Sequence, residues 1–297
     1  MHTGVVDVGG RPLTMETGTL AKQASGSVVV RYGDTMVLVT ACYSPHDREG
    51  IDFLPLTVDY RENTYASGRI PGGFFKREGK PPEKEVLTSR VIDRPIRPLF
   101  PSGWRRETQV VAFVISADTE NDSDVLALTG ASAALSLSAI PFQSTIAAVR
   151  VGLVGEELVI NPTYEQRRQG NLDLVVAGSK DALVMVEAGA KEVSEEEMVR
   201  ALDAGHDAIR QIIVEIDKLA AAAGKTKLQV NATDLDAGVA AEIEGQLLNP
   251  LADAMRVKDK LDSYAAVDKV LDDYLVTLPA DDTQRRADSK AAFKNLK

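Results

Sequence analysis

Cysteine is nearly absent from the sequence, and its scarcity excludes an intramolecular disulfide framework. The one cysteine, Cys42, is typical of a protein from a reducing compartment, so we expect a cytoplasmic location. It lies in a strand-like apolar run, which predicts a buried and inert thiol. No apolar run approaches the roughly 20 residues of a membrane-spanning helix, and the N-terminus has no pattern of a secretory signal. We therefore expect no membrane partner.

Familiar catalytic motifs are also missing. The Gly-Lys pair at 79–80 is followed by proline and lacks P-loop spacing, and there is no HExxH, CxxC or GxSxG. The histidines His2, His46 and His206 are scattered, and His206 falls within a predicted helix, where a structural role is expected. Acidic runs such as 194–198 are typical of helix starts rather than of acid–base pairs. The residues alone therefore indicate no catalytic centre.

Positive charge is scarce overall but concentrated in one segment. The chain has a net charge of −10, whereas residues 69–106 contain ten basic and four acidic side chains, a net charge of +6. The remainder therefore has a net charge of −16. Such a segment can attract a polyanion while the acidic remainder repels non-specific binding. The alternative, a solvated charged face, stays open on charge alone.

Strand and helix patterns alternate through the first 225 residues. Residues 27–44 predict a hairpin, and residues 107–117 are so continuously apolar that a strand buried on both faces is expected. Further hairpins are predicted at 145–163 and 171–190, and helices at 121–142 and 193–225. Small residues at 130–134 indicate close packing of the first of these helices against a sheet, and Asn121 or Asp122 can cap it. This alternation predicts an α+β domain.

A basic helix and a helical module complete the organisation. Residues 81–100 predict a helix that ends near Arg94, because Pro95 follows. Its apolar stripe is Val86, Leu87 and Val91, and its basic stripe is Arg90, Arg94 and Arg97. From about Leu235 the pattern is helical, with Pro250 expected to separate two helices.

Two adjacent phenylalanines, Phe74 and Phe75, lie in a glycine-flanked stretch next to Lys76 and Arg77. Exposed rings beside cations are typical of single-stranded nucleic-acid binding, in which each ring stacks on a base with about 1–3 kcal/mol and the cations follow the phosphates. The alternative is that both rings fold back and anchor the loop. The pattern does not decide between the two.

The string "TYASGRIPGGFFKREGKPPEKEVLTSRVIDRPIRPLFP", with "ENDSDVLALTGASAALSLSAIPF" and "LDLVVAGSKDALVMVEA", closely resembles the first half of the bacterial polynucleotide phosphorylase (polyribonucleotide nucleotidyltransferase) family. The resemblance runs from about residue 10 to 218. It implies an RNase PH-like (ribosomal protein S5 domain 2-like) core with subdomains 1–145 and 146–225, then an all-helical domain at 235–297. Family members are more than twice as long and continue into a second homologous core and KH and OB-fold domains.

The resemblance implies a phosphorolytic exoribonuclease of mRNA turnover that degrades single-stranded RNA 3′→5′ to nucleoside diphosphates. It further implies a homotrimeric ring and RNA degradosome components as candidate partners. Inorganic phosphate and Mg²⁺ would act in the second core, so no catalytic or metal-binding residue is expected in this chain. The residues predicted to bind RNA are Phe74, Phe75, Lys76, Arg77, Arg90, Arg94 and Arg97.

The first core is a degenerate copy in this family. Where the active copy has a phosphate-binding serine cluster, this chain has residues 122–124, Asp-Ser-Asp, whose carboxylates would cap the helix and repel phosphate. The paired metal-binding aspartates correspond by position to Glu165 and Asn171, and an asparagine is a weak ligand for Mg²⁺.

Three hypotheses follow. The chain is the first, catalytically degenerate part of the exoribonuclease, or a stand-alone non-catalytic module that binds RNA and forms trimers. The third, a single-core RNase PH-type enzyme, is weakened by the helical module and by Asp122 and Asp124. A reading frame that continues past Lys297 into a second core would distinguish the first from the second.

Overall fold

The computed structural model describes residues 1–48, 50–51, 53–230 and 237–297. The first of two compact units spans Met1–Val230, and the second contains the described residues 237–297. Sheets and helices build the first unit, whereas the described part of the second is helical. The predicted α+β class with a helical module is therefore confirmed. The predicted start of that module at Leu235 lies outside the described residues.

One sheet of the first unit contains six of the described strands. They are β1 (His2–Val8), β2 (Arg11–Thr17), β3 (Gly26–Tyr32), β4 (Thr35–Asp47), β5 (Leu56–Arg61) and β6 (Arg106–Ser116). Their spatial order is β1-β2-β3-β4-β6-β5, and the pairing is antiparallel except between β5 and β6. The sequence analysis did not predict the β1–β2 hairpin. Its turn uses Gly9 and Gly10, both at positive φ (61° and 78°), a conformation that glycine adopts without strain.

Among the described residues, one face of this sheet is covered more fully than the other. In β6, Val110, Ala112 and Val114 are fully buried, while Phe113 between them is 37% exposed. The prediction that this strand is buried on both faces is therefore wrong, because side chains alternate between the covered and the open face. The prediction of a buried thiol is wrong for the same reason, since Cys42 is exposed on the face opposite to buried Ala41.

Helix α2 (Asp124–Leu137) contacts β3, β4 and β6 and is almost entirely buried. A Cβ on Gly130 would lie 2.6 Å from Val39 Cγ2, so the helix backbone approaches the sheet at the small residues. The predicted close packing at 130–134 is confirmed. The predicted caps are not used, because Ser123 occupies the N-cap and makes no side-chain capping bond.

Helix α1 (Glu83–Ile96) differs from its prediction in two ways. Val86 and Leu87 are 50% and 48% exposed, and the buried face is instead Glu85, Thr88, Ile92, Pro95 and Ile96. The predicted apolar stripe is thus wrong at Val86 and Leu87, whereas its third member, Val91, is partly buried against the core. The helix also continues through the proline and passes into the 3₁₀ helix Arg97–Leu99. Burial of the residues around the proline offsets the one backbone hydrogen bond that is lost there.

The second sheet contains four described strands, in the order β10-β9-β7-β8 and antiparallel throughout. They are β7 (Ala147–Val154), β8 (Glu157–Ile160), β9 (Leu172–Gly178) and β10 (Leu183–Ala190), with α3 (Tyr164–Gln169) between β8 and β9. Helix α4 (Glu195–Ala223) follows, and Ser194 and Glu197 cap it reciprocally. These hairpins, the long helix and its capping box are confirmed, whereas α3 was not predicted.

In the described part of the second unit, α5 (Ala237–Met255), α6 (Lys260–Thr277) and α7 (Thr283–Leu296) share one core. Pro250 lies inside α5, so the prediction that it separates two helices is wrong. Leu247 and Leu251, on either side of the proline, are both buried in this core, and packing holds the helix together across it.

Candidate nucleic-acid interface and charged cleft

The two phenylalanines project from the segment that joins the 3₁₀ helix Thr64–Ser67 to α1. Phe74 is 93% exposed and Phe75 72% exposed. The rings meet edge to face, with centroids 5.5 Å apart. Of the two alternatives that the sequence left open, the structure therefore favours exposed rings over a buried anchor.

One cation lies against the Phe75 ring, and a second is its neighbour in sequence. The Arg77 guanidinium lies 5.3 Å from the centroid of the Phe75 ring, within cation–π distance. Lys76 and Arg77 are both exposed, and neither is ion-paired with any residue that the structure describes. The loop thus offers aromatic faces and uncompensated positive charge at one place.

The three predicted arginines of α1 have different surroundings. Arg90 is exposed and has no ion pair among the described residues. Arg94 lies 3.2 Å from Glu187, and both side chains are 56% exposed. Arg97 is held within the fold, because it pairs with Asp93 at 2.7 Å and donates hydrogen bonds to the carbonyls of residues 54 and 56. Arg90 is therefore the freest of the three to contact a phosphate.

An open cleft of about 960 Å³ lies between α1, the start of α2 and the second sheet. Six of its charged residues form what we call the cleft cluster: Lys84, Asp122, Asp124, Arg150, Arg167 and Asp173. Arg150 is the central cation, with a side chain only 8% exposed. It forms short contacts to Asp124 and Asp173, and Arg167 bridges Asp122 (2.8 Å) and Asp173 (2.7 Å). Lys84 lies 3.3 Å from Asp122.

The cleft cluster balances three cations against three carboxylates. Burial raises the pKa of Asp124 above its ordinary value of 3.8. Burial also opposes ionisation of Asp122, but the surrounding cations outweigh it and hold the pKa of this carboxyl below 3.8. The pKa of Asp173 is lowered in the same way, by the two arginines against burial. Each of these six charges thus faces an opposite charge, although Asp122 Oδ1 and Arg150 Nε are buried without a hydrogen-bond partner among the described residues.

Asp122 and Asp124, expected at the degenerate phosphate site, line this cleft and pair with its cations. Asp124 also accepts a backbone N–H at the start of α2, whereas Asp122 does not cap the helix. The Ser123 hydroxyl lies 2.6 Å from the Tyr60 hydroxyl. Glu165 and Asn171 are exposed and do not line the cleft. The residues found there are Arg167 and Asp173, also six apart but displaced by two positions.

Mg²⁺ and phosphate, which the resemblance implies, do not suit the cleft cluster. The described residues contain no group of three or more His, Cys, Asp or Glu that could hold a metal ion. Each carboxylate of the cluster already faces an arginine, which a dication would have to displace. At the start of α2 the Val125 N–H is donated to Asp124 Oδ1 at 2.7 Å, so the helix terminus has its own anion. The residues of the cleft cluster therefore fit neither Mg²⁺ nor phosphate.

Sequence reasoning missed Arg150, although a signal was present. It is the one charged residue in the strand "AAVRVGLV", whose other residues are apolar and mostly buried. A charge in such a strand requires partners, which the sequence does not identify. His206 has the structural role predicted, since its Nε2 lies 2.9 Å from the carbonyl oxygen of Ser179 in the β9–β10 turn. Among the described helices, none is long and apolar enough to cross a membrane.

Comparison with known families gives two matches in the first unit. Residues 9–141 match the model of the 3′ exoribonuclease family, domain 1, and residues 144–208 match domain 2 of the same family. The chain is 51% identical over 286 residues to the polyribonucleotide nucleotidyltransferase of Acidobacterium capsulatum, covering 96% of this chain and 36% of that protein. It is 49% identical over 295 residues to the protein of the same name from Solibacter usitatus, covering 99% and 42%. The chain therefore spans well under half the length of these relatives.

Solved structures with the same fold include the rice (Oryza sativa) protein Rrp46, with a TM-score of 0.57 and 17% identity over 71% of this chain and 95% of that one. An archaeal exosome core has a TM-score of 0.54 and 19% identity, over 68% and 86%. At such low identity these likenesses show the fold alone. With the family matches, they confirm the predicted RNase PH-like fold.

Proposed function

Since the chain belongs to the 3′ exoribonuclease family, we propose that it is the catalytically silent first core of a polyribonucleotide nucleotidyltransferase and grips RNA for it. The complete protein would degrade single-stranded RNA 3′→5′ in mRNA turnover, with phosphate as co-substrate and Mg²⁺ in a second core. It would act in the cytoplasm as a homotrimer, with degradosome components as candidate partners. Two findings support this proposal: the relatives share the name polyribonucleotide nucleotidyltransferase, and their similarity covers nearly all of this chain.

The proposed role in gripping RNA rests on one observation: Phe74 and Phe75 are exposed next to cations that have no ion pair among the described residues. A soluble protein rarely leaves two large rings this exposed without a binding use, and bases offer flat faces to both. The net charge of +6 over residues 69–106 attracts the phosphates of the same strand. Arg90 extends this positive surface onto α1.

The silent role is supported by the cleft cluster. A phosphorolytic site needs uncompensated donors for phosphate and carboxylates for a metal ion. Here Asp122 and Asp124 occupy the start of α2, and Arg150 is bound to acidic side chains. Each cation of the cleft cluster already faces a carboxylate, so a phosphate that bound these cations would have to displace an acidic side chain.

Incubation of the purified 297-residue chain with labelled single-stranded RNA and phosphate tests both roles. We expect RNA binding without release of nucleoside diphosphates, measured by filter binding and thin-layer chromatography. The full-length relative from Acidobacterium capsulatum is the positive control for phosphorolysis. Phosphate-dependent diphosphate release by the chain would refute the silent role, and absence of RNA binding would refute the gripping role.

A further inference from the structure

The loop that carries Phe74 and Phe75 is joined to the body of the protein by one side chain. Glu78 Oε1 accepts hydrogen bonds from the backbone N–H of Thr64 at 2.6 Å and from its hydroxyl at 2.8 Å. Within the part of the chain that the structure describes, no other hydrogen bond or ion pair links residues 70–81 to the rest.

Thr64 is a firm point of attachment. It begins the 3₁₀ helix Thr64–Ser67, in which Ala66 is buried. The carbonyl oxygen of Ala66 accepts a hydrogen bond of 2.9 Å from the N–H of Ala117, just after β6. The Glu78 carboxylate therefore ties the far side of the loop to a segment that is itself fixed to the first sheet.

We propose that Glu78 is a positioning residue for RNA, a latch that holds the two phenylalanines ready for stacking. This inference rests on the proposed gripping role. Gly72, Gly73 and Gly79 give the loop wide backbone freedom, and a tether between residues 64 and 78 removes part of it before RNA arrives. Less entropy is then lost when the rings order on bases, so binding is tighter.

Removing the Glu78 carboxylate should have two opposite effects on RNA affinity, one through its charge and one through the latch. Glu78 is an acid within a segment of net charge +6, so its neutralisation by itself should strengthen binding of a polyanion. Loss of the latch should instead weaken binding. The backbone and hydroxyl hydrogen bonds from Thr64 lower the pKa of Glu78 from 4.5, so the carboxylate is ionised and the latch is closed at neutral pH.

Two substitutions separate these effects. Glu78→Gln removes the charge but keeps an oxygen that accepts from Thr64, whereas Glu78→Ala removes both. We expect E78Q to bind fluorescein-labelled single-stranded RNA at least as tightly as the wild type, and E78A to bind about three- to tenfold more weakly than E78Q, measured by anisotropy. Glu156→Ala, an exposed acid in the turn between β7 and β8, is the matched control and should bind like the wild type.

Amide hydrogen exchange gives a second measurement that needs no RNA. The Thr64 N–H should be protected in the wild type and in E78Q, and should exchange fast in E78A. Equal RNA affinity of E78Q and E78A, or equal exchange of their loops, would overturn the latch. If Phe74→Ala with Phe75→Ala leaves RNA affinity unchanged while the exchange results hold, the gripping role fails and the tether itself stands. If the wild type does not bind RNA, Glu78 has no role in positioning RNA, and amide exchange then tests only whether it holds the loop to Thr64.

Discussion

Replacing Phe74 and Phe75 by alanine should separate binding from stability. A buried Phe→Ala change costs about 3–5 kcal/mol of unfolding free energy. These rings are 93% and 72% exposed, so little apolar area returns to water when they are removed. Their edge-to-face contact adds an amount at the low end of about 0.5–1.5 kcal/mol, because both rings are exposed to water. We expect the double variant to lose less than about 1 kcal/mol of stability, and about 2–6 kcal/mol of RNA-binding free energy if each ring stacks on a base.

The chain offers a matched control for this experiment. Phe100 and Phe142 also meet edge to face, with centroids 5.8 Å apart, but they are only 7% and 9% exposed. Urea unfolding of Phe100→Ala should show the full loss of about 3–5 kcal/mol. RNA affinity is measured by anisotropy at constant salt. If the double variant of Phe74 and Phe75 unfolds as early as Phe100→Ala, or binds RNA normally when folded, the stacking argument is wrong.

Three further predictions concern the cleft, the basic helix and the core. Arg150→Met should lower the unfolding free energy, measured by urea unfolding at neutral pH, by about 3–5 kcal/mol, because it leaves buried carboxylates without their cation. The loss should shrink as the pH falls through the lowered pKa values of Asp122 and Asp173, and a loss that is constant with pH would contradict the ion-pair explanation. Arg90→Asp should weaken RNA binding and reduce its salt slope by about one without affecting stability, whereas Arg97→Asp should also destabilise the fold through its lost backbone hydrogen bonds. If Arg90→Asp leaves the salt dependence of RNA binding unchanged, Arg90 makes no phosphate contact and belongs to a solvated charged face. Gly130→Ala should lower the unfolding free energy by about 1–3 kcal/mol, because the new Cβ clashes with Val39. The control Gly245→Ala, in open space on α5, should be neutral or stabilising. Equal effects of the two substitutions would refute the packing argument.

Local patterns predicted much of this protein because their physics is local. The hairpins of 27–44 and 171–190 follow from alternating apolar residues around polar turns. The start of α4 follows from Ser194 and Glu197, which satisfy each other's backbone donors. The small residues near Gly130 predicted close packing, because a helix can approach a sheet only where side chains are short. The exposed phenylalanines were consistent with their glycine-rich, charged surroundings, although the sequence left their burial open.

The sequence by itself determined most of the secondary structure, although not the β1–β2 hairpin or α3, and it also determined the family and the segment that carries positive charge. Tertiary structure alone decided which face of each element is covered, so it exposed Cys42 and turned Val86 and Leu87 outwards. Tertiary packing also allows α1 and α5 to continue past Pro95 and Pro250, because burial of the residues on both sides of each proline outweighs one lost backbone hydrogen bond. Above all it assembled the cleft cluster, in which Arg150 meets carboxylates 26 and 23 residues away along the chain. No local pattern encodes such pairing, because a buried charge is stable only where the fold brings its partners within contact distance.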